Sequence, residues 1–330
     1  MSHENDTCQH EQPIVVVSQC LGFAAVRYNG AMLEDDYVQA LRQHVKFVQV
    51  CPEIGIGLGV PRAPIRIVSG RNGRRLVQPS TGLDLSEQMR QFAADFLKQL
   101  GPVDGFILKS RSPSCGIKDV KTFADAETAM PMQKSSGFFA EVVMSHHPQA
   151  AIEDEGRLTN FRLRHHFLVK LYALAALRQA RQAGTISGLV RFQTLYKLQW
   201  MAYSQTGLTQ LGRIAANKEK LPVAEVFAQY ADRLARMLGQ PTRASGERNA
   251  LLHAFGYVSK KLSPAERKHF LKMLEEYREQ RLPLSALLTL LQSWVVRFEQ
   301  DYLLGQKFFE PYPRELMDLR DSAEAKKQNH

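Results

Sequence analysis

Ile14-Val15-Val16-Val17-Ser18-Gln19-Cys20 is the stretch that decides the fold. Four consecutive β-branched residues leave no polar face. The run therefore reads as a strand covered on both sides, as in a parallel sheet. Val45-Lys46-Phe47-Val48-Gln49-Val50 is a second strand. It stops at Cys51-Pro52-Glu53, because proline cannot donate to a ladder. Val103 to Leu108 is a third, followed by Lys109-Ser110-Arg111-Ser112-Pro113-Ser114-Cys115-Gly116. A short strand is expected near Ala150-Ala151-Ile152. Helices are expected over Glu34–Gln43, Ser86–Leu100 and Phe138–Val143; in the second, Met89, Phe92, Ala93, Phe96 and Leu97 recur at helical spacing. Ile65–Val68 and Arg75–Val77 flank Gly70-Arg71-Asn72-Gly73 and read as a hairpin. Strands alternating with helices imply a mostly parallel, Rossmann-like α/β domain with right-handed crossovers.

After about residue 156 the period changes to 3.6. Helical segments are read at Leu158–Gln182, Gly188–Ser204, Leu208–Asn217, Val223–Leu238, Gly246–Lys261, Pro264–Arg281 and Leu284–Leu304. The fold class is therefore α/β plus all-α. The α/β domain is expected over 12–155 and the helical domain over 156–320, with flexible tails at 1–11 and 321–330. A chain of 330 residues suits two domains with real cores, and 44% hydrophobic with 23% charged residues argues against long disorder. No apolar run approaches the ~18–20 residues that span a bilayer. The first residues lack the basic-then-apolar order of a secretory signal, so a cytoplasmic protein is expected, with no membrane and no obligate protein partner. Four widely spaced cysteines in such a protein are not a disulfide scaffold.

The charge is uneven. Residues 1–150 hold 15 Lys/Arg and 15 Asp/Glu; of the chain's 43 and 33, the other 28 and 18 lie in 151–330. A basic half beside a neutral one points to a polyanion, nucleic acid first, against the plainer reading of an Arg-rich helical surface.

Cys20, Cys51 and Cys115 share one topological address: each lies just after an expected parallel strand. In an open α/β sheet the carboxyl ends of the strands meet where ligands bind. A single free cysteine is usually a small buried hydrophobe; three at equivalent strand ends, each near Pro or Gly, point to a functional cluster. Zinc with a water as fourth ligand fits three thiolates. So does a [4Fe–4S] cluster with one open iron. Counting ligands does not separate the two. Cys8, in a polar stretch, reads as a solvent-exposed thiol. Glu53, two positions after Cys51, could shuttle protons at a metal edge, or simply pair with Arg62. Ser112, three before Cys115, could bond a substrate, or cap the turn. Lys109 and Arg111 could favour thiolates or a phosphate, or be solvated.

Ser18-Gln19-Cys20-Leu21-Gly22 with Arg27-Tyr28-Asn29-Gly30, then Cys51-Pro52-Glu53, Pro61-Arg62-Ala63-Pro64 and Leu108 to Gly116, closely resemble the TudS-type thiouracil desulfidases over residues 12–155. Gln19 departs from the small residue usual in that family, and Phe23 to Val26 lacks a further common Cys. The resemblance implies a [4Fe–4S] cluster on Cys20, Cys51 and Cys115, with Glu53 as the proton-transfer carboxylate and Ser112 as the substrate-contacting serine. Arg191-Phe192-Gln193 to Lys197, Leu211-Gly212-Arg213, Asn249 to His253, Gly256-Tyr257, Lys260-Lys261 and Gln306 to Pro313 resemble the helical YbgA-type domain.

The fused pair resembles the RudS-type proteins, which remove sulfur from thiouridine in tRNA. The implied function is an iron–sulfur tRNA thiouridine desulfidase, with the 4-thio position expected and uridine and sulfide as products. The alternatives are a desulfidase of free thiobases such as 2-thiouracil, or a non-catalytic RNA-binding or redox-sensing iron–sulfur protein. Arg164, Lys197, Arg213, Lys260 and Lys261 are the candidate RNA contacts. Tyr196, Trp200, Tyr203 and Tyr257 could stack on a base, or pack in the core, the reading preferred for Trp200.

Overall fold

A computed structural model of the chain describes residues 10–70 and 73–317. The chain forms two compact units. One comprises 12–167 and the described residues from Glu315 onward; the other comprises 168–314 with His10 and Glu11.

The first unit carries two sheets. Strands β1 (Ile14–Ser18), β2 (Lys46–Val50), β6 (Gly105–Leu108) and β9 (Ala151–Asp154) form one sheet, in the order β2-β1-β6-β9, with every pair parallel. Val15, Val16 and Val17 are fully buried, as a run apolar on both faces requires. Helices α1 (Asp36–Leu41), α2 (Pro52–Gly55), α3 (Ser86–Gln99) and α4 (Phe138–His146) lie in the connections. Asp35 caps α1 by accepting from the Val38 N–H at 2.9 Å.

The second sheet, β5-β4-β3-β7-β8, is mixed. It joins β3 (Arg66–Gly70), β4 (Gly73–Gln78), β5 (Leu83–Asp84), β7 (Val120–Phe123) and β8 (Pro131–Ser135). β3 and β4 pair antiparallel, as the hairpin reading expects; its tip, 71–72, lies outside the described residues. The sequence reading contains no β5, β7 or β8. β8 is almost wholly exposed, so no buried face imposes an apolar pattern on it. Val16, Met89, Phe106, Phe138, Phe139 and Val143 belong to one core shared with residues of the mixed sheet, such as Ile67 and Leu76.

The second unit is helical: α5 (Phe161–Ala183, with residues 161–167 counted in the first unit), α6 (Ile186–Leu195), α7 (Lys197–Tyr203), α8 (Gln205–Ala215), α9 (Val223–Met237), α10 (Ala244–Val258), α11 (Pro264–Arg278), α12 (Leu284–Arg297) and α13 (Asp301–Leu304). Ser263 and Glu266 form a reciprocal capping box at α11. The segment read as one helix over Gly188–Ser204 is broken at Tyr196. Gln306, more than a hundred residues on, takes the freed groups: its Oε1 accepts from the Leu198 N–H (3.1 Å) and its Nε2 donates to the Thr194 carbonyl (2.7 Å). Among the described residues no helix is long and apolar enough to cross a membrane. His10, read as part of a flexible tail, is instead packed: its ring lies edge-on to Tyr172, and burial lowers its pKa to about 4. Neutral at ordinary pH, it does not form an ion pair with Glu310 at 3.7 Å. The rest of both tails, Cys8 included, lies outside the described residues.

Candidate active site

The three cysteines follow three neighbouring strands. Cys20 lies in the turn after β1, Cys51 is the N-cap of α2 directly after β2, and Cys115 closes the loop after β6. All three are free thiols; Cys115 is buried and the others half-buried. Backbone bonds hold their turns together. Gln19 N–H donates to Val50 O (2.8 Å), joining the Cys20 turn to the end of β2, and Leu33 N–H donates to Cys20 O (2.9 Å). The Cys115 loop is held by α4, whose first N–H groups have no partner within their own helix. Phe138 N–H donates to Pro113 O (3.1 Å) and Ala140 N–H to Ser114 O (3.0 Å). Gly137 permits this approach, since a Cβ there would lie 2.5 Å from Ser114 O.

Electrostatics ties the thiols into one set. Burial pushes Cys20 up to about 11, and Cys51 raises it further, while Lys109 and Arg27 pull against the shift. Burial also raises Cys51, with Arg62 opposing. Cys115 is raised well above the ordinary thiol range, first by burial, then by Cys20, Glu53 and Cys51; a hydrogen bond with Ser18 opposes this. Neutral thiols of this kind are donors that a bound cation would convert to thiolates. Among the described residues no three His, Cys, Asp or Glu side chains are placed to share one metal ion.

Glu53 stands beside them. Its Oε2 accepts from Arg62 Nε (2.8 Å) and Nη2 (2.7 Å), and its Oε1 accepts from the Ser114 hydroxyl (2.5 Å). Arg62 also donates to Val26 O and Gly59 O, and both members of the pair are half-buried. The plain pairing with Arg62 is thus present, and it fixes the carboxylate at the site.

Ser112 is placed differently from its expected role. Its oxygen accepts from Cys115 N–H (3.1 Å) and Ser114 N–H (3.3 Å), and lies 3.1 Å from Ser114 Oγ. An ionised Glu53 only accepts, so the Ser114 proton goes to Glu53 and the Ser112 proton to Ser114. Ser112 then uses its one donor and both lone pairs inside the loop. It caps the turn that carries Cys115. Ser114 is the hydroxyl with a lone pair to spare, and the sequence reading did not single it out.

Glu155 was also missed. It accepts from the Ser110 N–H (2.7 Å), the Ser110 hydroxyl and Lys109 Nζ, so Lys109 is committed to an ion pair rather than solvated. Glu155 follows β9 directly, so the strand-end rule that located the cysteines would have found it. Arg111 adopts a left-handed φ of 59°, turning the loop.

The RNA candidates divide. Lys197, Arg213, Lys260 and Lys261 are exposed. Arg164 is not: it belongs to the α/β unit, is 3% exposed, donates to Leu158 O (3.1 Å) and lies over the Tyr37 ring. A guanidinium spent on backbone and ring contacts does not meet a surface phosphate, which corrects that reading. Tyr196 and Trp200 are buried and stacked on each other, as preferred for Trp200; Tyr203 packs against the same core. Tyr257 is exposed. Two cavities of about 570 and 530 Å³ lie in the helical unit, both touching Arg213, and neither reaches a cysteine.

Fold and site together define a class: an α/β protein that gathers three cysteines and a half-buried carboxylate at strand ends, carried with a separate helical unit. The chain belongs to the 2-thiouracil desulfurase family, which matches residues 15–155, and joins that TudS-like domain to a YbgA-type helical domain; a family of unknown function, DUF1722, matches 197–313. Uncharacterized protein YbgA of Escherichia coli (strain K12) is 28% identical over 157 residues, 47% of this chain and 92% of its own length. Uncharacterized protein YbbK of Bacillus subtilis (strain 168) is 34% identical over 110 residues, 31% of this chain and 73% of its own length. A solved structure described as a [4Fe-4S]-dependent thiouracil desulfidase, TudS, is 24% identical and covers 44% of this chain and 93% of that one, at a TM-score of 0.35.

Proposed function

We propose that the chain is an iron–sulfur-dependent desulfidase that removes sulfur from thiouridine in tRNA, with 4-thiouridine as the substrate and uridine and sulfide as products. The observation that carries the reading is the convergence of Cys20, Cys51 and Cys115, from three distant segments, on adjacent strand ends beside Glu53. Cys20, Cys51 and Cys115 would hold a [4Fe–4S] cluster. Such a cluster supplies an open iron, a soft Lewis acid suited to a thiocarbonyl sulfur.

The protein's own groups do the rest. Arg62 fixes Glu53 through Oε2, leaving Oε1 and the Ser114 hydroxyl as the proton-handling edge. Replacement of sulfur by oxygen turns the oxygen of water into a carbonyl oxygen, so both protons of that water pass to the departing sulfide, as H2S; Glu53 would carry them, with the buried Ser114 hydroxyl bonded to its Oε1. Ser112 and α4 keep the Cys115 loop in position, and the Lys109–Glu155 pair anchors its start. The excess of basic residues in 151–330 supports a polyanionic substrate over a free base. Lys197, Arg213, Lys260 and Lys261 remain the candidate phosphate contacts.

The test is mass analysis of nucleosides from thiolated tRNA incubated with anaerobically reconstituted protein. Loss of 4-thiouridine with a matching gain of uridine is expected. Turnover of free thiobases with no change in tRNA would overturn the tRNA assignment.

A further inference from the structure

Helix α10 carries a glycine that its own fold does not need. A Cβ on Gly256 would meet no atom within 4 Å. Glycine in a helix interior costs stability, and its usual warrants are a left-handed φ or a close approach. Gly256 has an ordinary helical φ, and none of the described residues approaches it within 4 Å of where a Cβ would lie. What remains is an approach from outside.

The surroundings indicate what approaches. His253, Gly256, Tyr257 and Lys260 share one exposed face of α10 and its extension. Tyr257 is 48% exposed although it is a large ring, and it stacks on Tyr302 at 5.1 Å with 28° between planes. The two stacked rings form one aromatic platform on this face. Just beyond it the chain gathers cations. Lys261 and Arg297 both lie over the Phe298 ring, at 5.5 and 5.1 Å, and Arg267 donates to Ser259 O. Glu266 pairs with Arg297 while also serving the capping box; Glu299 and Asp301 follow on the chain. Lys260 has no ion-pair partner among the described residues.

We propose that this face of α10 seats an unpaired nucleotide of RNA, its base against the Tyr257–Tyr302 pair, its backbone close over Gly256, and its phosphates on Lys260 and Lys261. The inference rests on the tRNA reading and assigns that reading a surface. An exposed ring beside cations, here Lys260 and a Lys261 that donates only to the Phe298 carbonyl, is the arrangement that binds single-stranded nucleic acid, because every base has a π-face and every linkage a charge.

The experiment measures tRNA affinity for the full chain and for Gly256→Glu, Tyr257→Ala and Lys260→Ala, with melting temperature, iron content and sedimentation mass alongside. Gly256→Glu points into open space on a helix, so the fold is kept. Gly256→Glu and Tyr257→Ala should each weaken binding roughly 5- to 100-fold, the span of one base–aromatic stack, with iron content held and the melting temperature of Gly256→Glu no lower than that of the wild type. An unpaired oligoribonucleotide should compete for the wild-type surface better than a duplex of equal length. If the variants bind tRNA like the wild type, the α10 face is not the RNA surface, and the tRNA reading stands without it. If they instead turn a dimer into a monomer at unchanged tRNA affinity, the face meets a second copy and the inference fails. If the wild type binds no RNA, the tRNA reading itself falls, and this inference with it.

Discussion

The two units differ in how their informative residues are held. In the α/β unit they are buried or half-buried and tied by bonds that leap along the chain. Glu53 reaches Arg62 and Ser114, 9 and 61 positions away, and Lys109 reaches Glu155 across 46. In the helical unit the cations of interest are exposed, and their bonds are few. Arg213 and Lys260 project from helix surfaces whose stability resides in a separate core of Phe192, Trp200, Tyr230 and their neighbours. Residues 168–314 contain no cysteine. Loss of a thiol or of an anchoring partner in the first unit should therefore disturb iron binding or the fold. A change on the second unit's surface should act on binding alone.

The largest effect expected is at the thiols. Cys20→Ala, Cys51→Ala or Cys115→Ala should each abolish iron binding and turnover, read by iron and sulfide content; a Cys51→Ala protein with full iron would break the contrast between the units. Next, Glu53→Gln should keep the iron and lower the single-turnover rate by ~10²–10⁴, the usual contribution of a positioned acid–base group; wild-type rates would remove Glu53 from the chemistry.

Arg62→Met tests the anchoring directly. Removing one partner of this half-buried pair leaves a carboxylate held only by the Ser114 hydroxyl and should cost about 2–3 kcal/mol, below the roughly 3–5 of a fully buried pair, visible in urea unfolding. A cost below ~1 kcal/mol would show that the pair is not structurally coupled to its unit. By contrast, Ser263→Ala removes the side-chain cap of α11 in the helical unit. It should cost about 1 kcal/mol and leave the iron untouched, so a change in iron content would contradict the separation.

The smallest effect expected is a slope. Burial raises Asp154 to about 6, and raises Asp35 in the same direction. Between about pH 4 and pH 6 the folded chain then binds more protons than the unfolded chain, so this contribution is full below pH ~4 and is lost as pH rises to about 6. Asp154→Asn keeps an acceptor for the Arg157 N–H and should flatten that part of the stability–pH curve. An unchanged curve would mean that Asp154 is better solvated than its burial implies.

The sequence by itself determined the parallel sheet, the helical half and the position of three cysteines after neighbouring strands. Each follows from a local pattern or a general rule: β-branched runs, 3.6 periodicity, and the shared edge at which parallel strands end. The placement of Glu53 near that edge followed from its two-residue distance to Cys51. Only the tertiary structure decided the roles whose cause lies far along the chain. Ser112 and Ser114 look alike in sequence, and the choice between them depends on a carboxylate 61 positions before Ser114. The break at Tyr196 carries no glycine or proline, and exists because Gln306 satisfies the backbone groups that it frees. Arg164 looked like one of several cations on a helix until its contacts with Leu158 and Tyr37 showed it buried. The physical reason is common to all three: a polar group's role is set by the partner that satisfies it, and a partner brought from a distant segment leaves no periodic trace in the residues around it.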